Sequence, residues 1–454
     1  MSMSNMNYIE GGKKSSVPQI RCMLLLLAVL LFSWTNCATA QNQLPLTLQD
    51  GLKIVTEESR VVKIARSGED MAVSDMKMAR AGLFPSINAS ASHTSLAYQP
   101  SMVALGQTVN TSDTQYYAYS ISIQQILFDF RGSLSRYDAS RMLLEAQKHE
   151  TSRIRNAIAM DFTQSFYEYL ESQHLIETAA GEIERLETHL KNATRLYESG
   201  VNTRNDLLQT QVRLSDARQK LLTATNLKAQ RAARLNNFLT RPIYTAIQVV
   251  EPHGDITPPP ASDPEESWRE ASKLRPEVLI VDRTLDAVDF EITAHKAEFL
   301  PKFYVRGSND YMENPYQRYE NNWALMFGVN INLFEGGRTL ANVQKSRSRQ
   351  KQLIEQQKRL ADEIRLELQH YSLNLQNAYA RILVNQDAAS QAQENLRINR
   401  KRYEEGMGTA TEVLDAVTLL TLAETNHIRA IYDYRRAEAA LHYATGRNLL
   451  DVYR

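Results

Sequence analysis

The chain has 454 residues, 52 basic and 52 acidic side chains, a formal net charge of +0 and two cysteines. Balanced charge leaves no electrostatic footprint for nucleic acid, and a single pair of cysteines is too few for a disulfide framework. The length would suit two or three ordinary domains, a prior that elongated repeats break.

At the start, Lys13, Lys14 and Arg21 precede an apolar run from Met23 to Trp34, and Ala38-Thr39-Ala40 offers the small residues that a signal peptidase reads. Residues 1–40 are therefore expected to be a signal peptide. The run is short for a membrane helix, and no later stretch has around 20 uninterrupted apolar residues. Cleavage after Ala40 would remove Cys22 and Cys37. The competing reading, a lipid on Cys37, meets Trp34-Thr35-Asn36, which lacks the small residue and leucine of bacterial lipoprotein signals.

A first repeat is expected over 41–241. Thr47 and Asp50 are spaced for a capping box, and a helical pattern continues to Ala81 until Gly82-Leu83-Phe84-Pro85 stops it. A hairpin follows at about 86–128. Its strands run from Ile87 to Ala97 and through Tyr117, Tyr119, Ile121 and Ile123, which alternate with Ala118, Ser120, Ser122 and Gln124, and its tip spans 98–115. A long helix is expected at about 133–199, closing on a coiled-coil seam of Ile183, Leu186, Leu190, Ala193 and Tyr197. Gly200 ends it, and a further helix occupies about 205–239. Pro252, Pro258, Pro259, Pro260 and Pro264 mark 242–264 as a linker, and Asp263-Pro264 starts the next helix.

The second repeat, 265–447, has the same order, with a tail at 448–454. Its hairpin lies at about 302–334, where Trp323, Leu325, Phe327, Val329 and Ile331 alternate with small or polar residues. The 68 residues 338–405 contain no glycine or proline and read as one helix of roughly 100 Å, followed by a helix at about 410–445. Pro301 lies 216 positions beyond Pro85; Phe334, Tyr403, Gly406 and Arg447 lie 206 beyond Phe128, Tyr197, Gly200 and Arg241. The change of offset falls between the strands of each hairpin, at the loop tips where insertions collect.

Four strands per chain neither close a barrel nor hide their edges in lipid, so the strands must be pooled between copies. Two copies give eight strands and a filled interior, whereas three give twelve and a lumen. The expected fold is therefore an α+β membrane protein, a trimeric 12-stranded transmembrane β-barrel continuous with an α-helical, coiled-coil barrel. The outward face would carry Tyr117, Tyr119, Ile121, Ile123, Phe303, Val305 and the alternating residues from Trp323 to Ile331, with Tyr98, Tyr116, Tyr311 and Trp323 as an aromatic girdle. Each feature alone has a plainer reading, as a cytosolic coiled coil or a soluble half-buried sheet. Their junction, their duplication and the signal peptide together favour the channel.

Leu83-Phe84-Pro85 with Phe299-Leu300-Pro301, Leu127-Phe128-Asp129 with Leu333 to Gly337, and Tyr403 to Gly408 through Glu412-Val413-Leu414-Asp415 resemble the TolC-type outer-membrane efflux protein family. The resemblance implies a non-enzymatic homotrimer in the bacterial outer membrane with a periplasmic helical tunnel. It implies a passive export duct of a tripartite efflux or type I secretion system, for small molecules or protein. The partners implied are outer-membrane lipid, a periplasmic adaptor (membrane fusion) protein and an inner-membrane transporter of RND, ABC or MFS type. It assigns Asp206, Tyr403, Glu412 and Asp415 to a periplasmic gate, and Gly200, Val201, Gly406 and Met407 to the adaptor contact. Rings of carboxylates favour cations; the plainer role for these acids is to complement a helix N-terminus, and for the glycines to end a helix. An arginine supporting closure in the family falls on Gly408 here, with Arg204 nearby. No cofactor is expected: the histidines lack ligand spacing, and Met71, Met76 and Met78 read as packing rather than metal handling. The rival class is a periplasmic coiled-coil adaptor or structural protein without membrane-length strands.

Overall fold

The computed structural model describes residues 45–453 apart from 253, 261 and 262. The expected signal peptide and Cys37 lie outside them. Among the described residues no helix is long and apolar enough to cross a membrane.

Helices α1 (Leu48–Glu58) and α2 (Arg60–Ala81) lead into strand β1 (Ser86–Ser95), a small hairpin of β2 (Ser101–Ala104) and β3 (Gln107–Asn110), and strand β4 (Gln115–Phe128). Helices α3 (Gly132–Glu198) and α4 (Arg204–Phe238) complete the first half. In the second half α5 (Pro264–Leu274) and α6 (Pro276–Ala297) precede strands β5 (Lys302–Met312) and β6 (Asn321–Asn330), and then come α7 (Arg338–Glu404), α8 (Ala410–Ala444) and the short α9 (Leu449–Val452). Both ends of α7 and α8 fall 206 positions beyond those of α3 and α4, and both ends of α5 and α6 fall 216 beyond those of α1 and α2.

The continuous helix expected up to Ala81 is broken at Ser59. That residue is extended (φ −60°, ψ 146°), and its hydroxyl caps α2 by accepting from the Val62 amide. Its counterpart Arg275 has the same extended conformation, forced there by Pro276. The Arg275 guanidinium is buried against Glu277 and Glu367 and lies over the Tyr443 ring. The Thr47 hydroxyl accepts from the Asp50 amide and donates to the Asp50 carboxylate at 2.6 Å.

Strands β1, β4, β5 and β6 form one antiparallel sheet in that order. Directly paired residues share a face. One face therefore carries Ile87, Ile123 and Leu325 in one row and Ile121 with Trp323 in the next, with Tyr119 stacked on Tyr311 at 5.7 Å. The other carries Ser90, Ser120 and Asp310 in a single row. Tyr116 pairs with Thr94 and so lies on this polar face rather than in the girdle, and Ile331 lies beyond the end of β6. The loop 98–115 contains the β2–β3 hairpin, whose base is tied to the second loop by Asn314 Nδ2 donating to the Thr111 carbonyl at 3.0 Å.

The helices stand four abreast in a layer one helix thick. Near the strands the order is α2, α3, α6, α7; farther away it is α4, α3, α8, α7. Position in the row decides burial. Helix α8, between α3 and α7, is buried along most of its length, while α4, as long but packed mainly on α3, buries little between Ala217 and Leu235. The largest core lies at mid-height, where Leu52, Val55, Phe162, Phe166, Tyr167, Leu235, Tyr432 and Leu449 meet. The proline-rich linker is strapped across this level: Tyr432 donates to Glu251 and Tyr434 to the Thr257 carbonyl, both at 2.8 Å, and Leu46 pairs with Val249 as a parallel bridge.

Candidate functional site

The end of the wall remote from the strands is made of two helix–turn–helix tips, α3–α4 and α7–α8. At each tip a glycine in the left-handed region ends the long helix, Gly200 (φ +77°) and Gly406 (φ +73°), and a Cβ at either position would meet nothing within 4 Å. Beside them Val201 and Met407 are 62% and 64% exposed. Thr203 and Thr409 then open the returning helices with complete capping boxes. The Thr203 hydroxyl accepts from the Asp206 amide at 3.3 Å while Asp206 accepts from the Thr203 amide at 3.3 Å; Thr409 and Glu412 repeat this at 3.3 and 3.1 Å. Two of the acids thus have a plain local role in starting helices. Asp415, one turn on, is exposed.

Arg402, rather than Arg204, is the guanidinium paired at the second turn, 3.8 Å from Glu412 and donating to the Met407 carbonyl at 3.3 Å. Gly408 is enclosed there: a Cβ would lie 3.1 Å from the Tyr403 amide nitrogen and 3.2 Å from Glu412 Oε2.

The two tips are joined through Tyr403, which is 2% exposed. Its hydroxyl accepts from Asn202 Nδ2 at 2.5 Å, and its ring lies 4.8 Å from that of His189. Burial raises the Tyr403 pKa and the charge of Asp206 adds to the shift, so Asp206 acts on Tyr403 through space while its hydrogen bonds go to Thr203. His189 is buried, and among the described residues its Nε2 has no hydrogen-bond partner. Burial pushes it down to about 4; Arg400 reinforces the shift and Asp206 opposes it. Further cross-links are Asn192 to Glu404 at 3.1 Å and, more weakly, Thr411 to Gln209 at 3.5 Å.

Sequence reasoning missed Asn202 and His189. Asn202 follows a helix-ending glycine, where asparagine needs no special explanation. His189 does carry a signal, a polar residue beside Leu186, Leu190 and Ala193 on an apolar seam. Among the described residues no group of three or more His, Cys, Asp or Glu side chains is placed to hold a metal ion.

Long paired helices rising from a sheet with one apolar, charge-free face define the class of outer-membrane channel proteins that continue into helices. The chain belongs to the outer membrane efflux protein family, whose profile matches residues 52–241 and 269–447, and it is a protein of the outer membrane. It is 24% identical over 442 residues to the outer membrane efflux protein BepC of Brucella suis, covering 95% of this chain and 91% of that one. It is 25% identical over 347 residues to the alkaline protease secretion protein AprF of Pseudomonas aeruginosa, covering 74% and 70%. In fold it is similar to the outer membrane protein VceC of Vibrio cholerae, with a TM-score of 0.77 at 18% identity over 88% of this chain and 96% of that one.

Proposed function

We propose that three copies of this chain close into a passive export duct, a 12-stranded barrel in the outer membrane above a twelve-helix tunnel in the periplasm. Each copy would contribute two versions of one unit, 41–241 and 265–447, joined by the linker. The observation that carries this reading is that both edges of the layer are bare, in sheet and helices alike. Among the described residues strands β1 and β6 have no outer neighbour. On α2, Ile64, Met71 and Met78 recur every seven residues and are 72%, 66% and 66% exposed; on α7, Leu366 and Leu373 are 73% and 53% exposed. Leu366 stands two residues from both Ile364 and Leu368, which are buried, and so faces away from the packed side.

The exposed area points the same way. The chain exposes 29943 Å². Even wholly exposed, the first 44 residues would contribute about 7,000 Å², leaving about 23,000 Å² where a compact chain of that mass shows about 16,000 Å². One edge differs from the other, so joining them is heterologous, and a rotation of a third of a turn per copy would close the proposed ring.

In this duct the tips face the periplasm. Asp206, Tyr403, Glu412 and Asp415 would form the gate, joined by Asn202 and His189, and Gly200, Val201, Gly406 and Met407 would meet an adaptor; the exposed Val201 and Met407 suit an apolar partner. An inner-membrane transporter supplies the energy. The relatives' names cover efflux and protease secretion, so cargo follows the transporter. Met71 and Ser348 each lie about ten residues from the strand end of their helices, at matching heights. Cysteines at both positions should crosslink into dimers and trimers in outer membranes; failure of that pair with only monomer in native mass spectra would refute the ring.

A further inference from the structure

The four sheet strands carry their ionised charge in one place. Among β1, β4, β5 and β6 the lysine, arginine and acidic residues are Lys302, Arg306 and Asp310, all on β5 and four positions apart. An even spacing puts all three on one face of a strand. The register pairs them with Asn330, Gln124 and Ser120, so that face is the polar one and not the face of Tyr119, Ile123 and Phe327. Asp310 is held in place, accepting from Ser120 Oγ at 2.5 Å and from Ser308 Oγ at 2.8 Å. Arg306 is exposed, and among the described residues its guanidinium has no hydrogen bond or ion pair.

We propose that Lys302 and Arg306 form an anion-attracting belt inside the barrel, with Asp310 as an acidic row nearer the outer mouth. The inference rests on the three-copy duct proposed above, which turns the polar face toward water. The three side chains sum to one positive charge per copy. An unpaired guanidinium presents a planar fork that suits carboxylates, phosphates and other small oxyanions. The two cationic rows lie about 13 Å apart along the strand. Their sign is opposite to that of the tip acids, so a solute would pass two charge filters of opposite sign in series. Screening sets the range of the belt: the Debye length is about 30 Å at 0.01 M salt and about 3 Å at 1 M, so the belt acts across a wide lumen only in dilute electrolyte.

The test is the reversal potential of the purified protein in planar bilayers under a potassium chloride gradient. It is read in a Glu412→Gln, Asp415→Asn background, which removes the tip carboxylates. Arg306→Gln should shift the reversal potential toward potassium selectivity and Asp310→Asn toward chloride, in dilute salt and not near 1 M. Both side chains are exposed, and in Asp310→Asn the amide oxygen still accepts from one serine while the amide nitrogen takes the place of the oxygen that accepted from the other. Channels of unchanged conductance whose reversal potential does not move would overturn the belt and leave the duct standing. Loss of the three-copy species from native mass spectra of the parent protein, with no conductance, would overturn the duct itself.

Discussion

Acidification tests how the gate proposed at the tips would be held shut. His189 has an ordinary value of 6.5 when exposed and about 4 when buried beside Tyr403 and Arg400. Between those values an opened tip binds a proton that the closed tip does not. The closed form therefore has its full stability above pH 6.5 and loses it as pH falls, by about 1.36 kcal/mol per unit, reaching about 3 kcal/mol per copy. A ring of Glu412 and Asp415 carboxylates predicts the reverse, since added protons relieve their repulsion. Hydrogen exchange at 199–203 and 405–409, corrected for intrinsic rates, separates the two. Between pH 6.5 and 4.5 the opening constant of the wild-type protein should rise about fortyfold, while that of His189→Gln, which cannot take up the proton, should stay nearly flat. Equal slopes in the two proteins, or protection that increases with acid, would refute the reasoning.

Gly51→Ala should destabilise the mid-height core by about 1–3 kcal/mol, because its Cβ would sit 2.2 Å from Cζ of the buried Phe162; thermal melting reads this. Arg131 is left-handed (φ 69°) where its counterpart Gly337 also is (φ 86°). Arg131→Gly should therefore raise stability by up to about 1 kcal/mol, the relief of strain exceeding the entropic cost, and a lower melting point would contradict it. Neutralising Glu412 and Asp415 should lower cation preference in bilayer conductance, and unchanged selectivity would remove them from the gate. Deleting residues within 98–115 should leave the proposed three-copy assembly intact on native gels, since among the described residues β2 and β3 pair only with each other.

The long elements were legible because their signals are local and repeated. A 67-residue helix without glycine or proline announces itself, as does the glycine at its end, and α7 spans Arg338–Glu404 where the sequence predicts 338–405. Period-two alternation likewise gave the apolar faces of β4 and β6. What was not legible depends on tertiary choice. Ser59 is acceptable inside a helix by propensity, and only its extended backbone and hydroxyl cap make it a break. The β2–β3 hairpin lacks alternation, and its turn places Leu105 at φ 53° beside Gly106, a position no propensity assigns to leucine. At the tip the acids were visible, but the bond from Asn202 joins residues 201 positions apart, which a single sequence without covariation does not reveal.

A layer one helix deep has water against both of its broad sides, so a copy without neighbours rests on its mid-height core and a few buried seams alone. In the proposed ring, separating one copy from the others would remove much of what stabilises it. Under the proposed ring, the midpoint of unfolding should rise with protein concentration, as mass action requires for an assembly, and dilution should act as a denaturant.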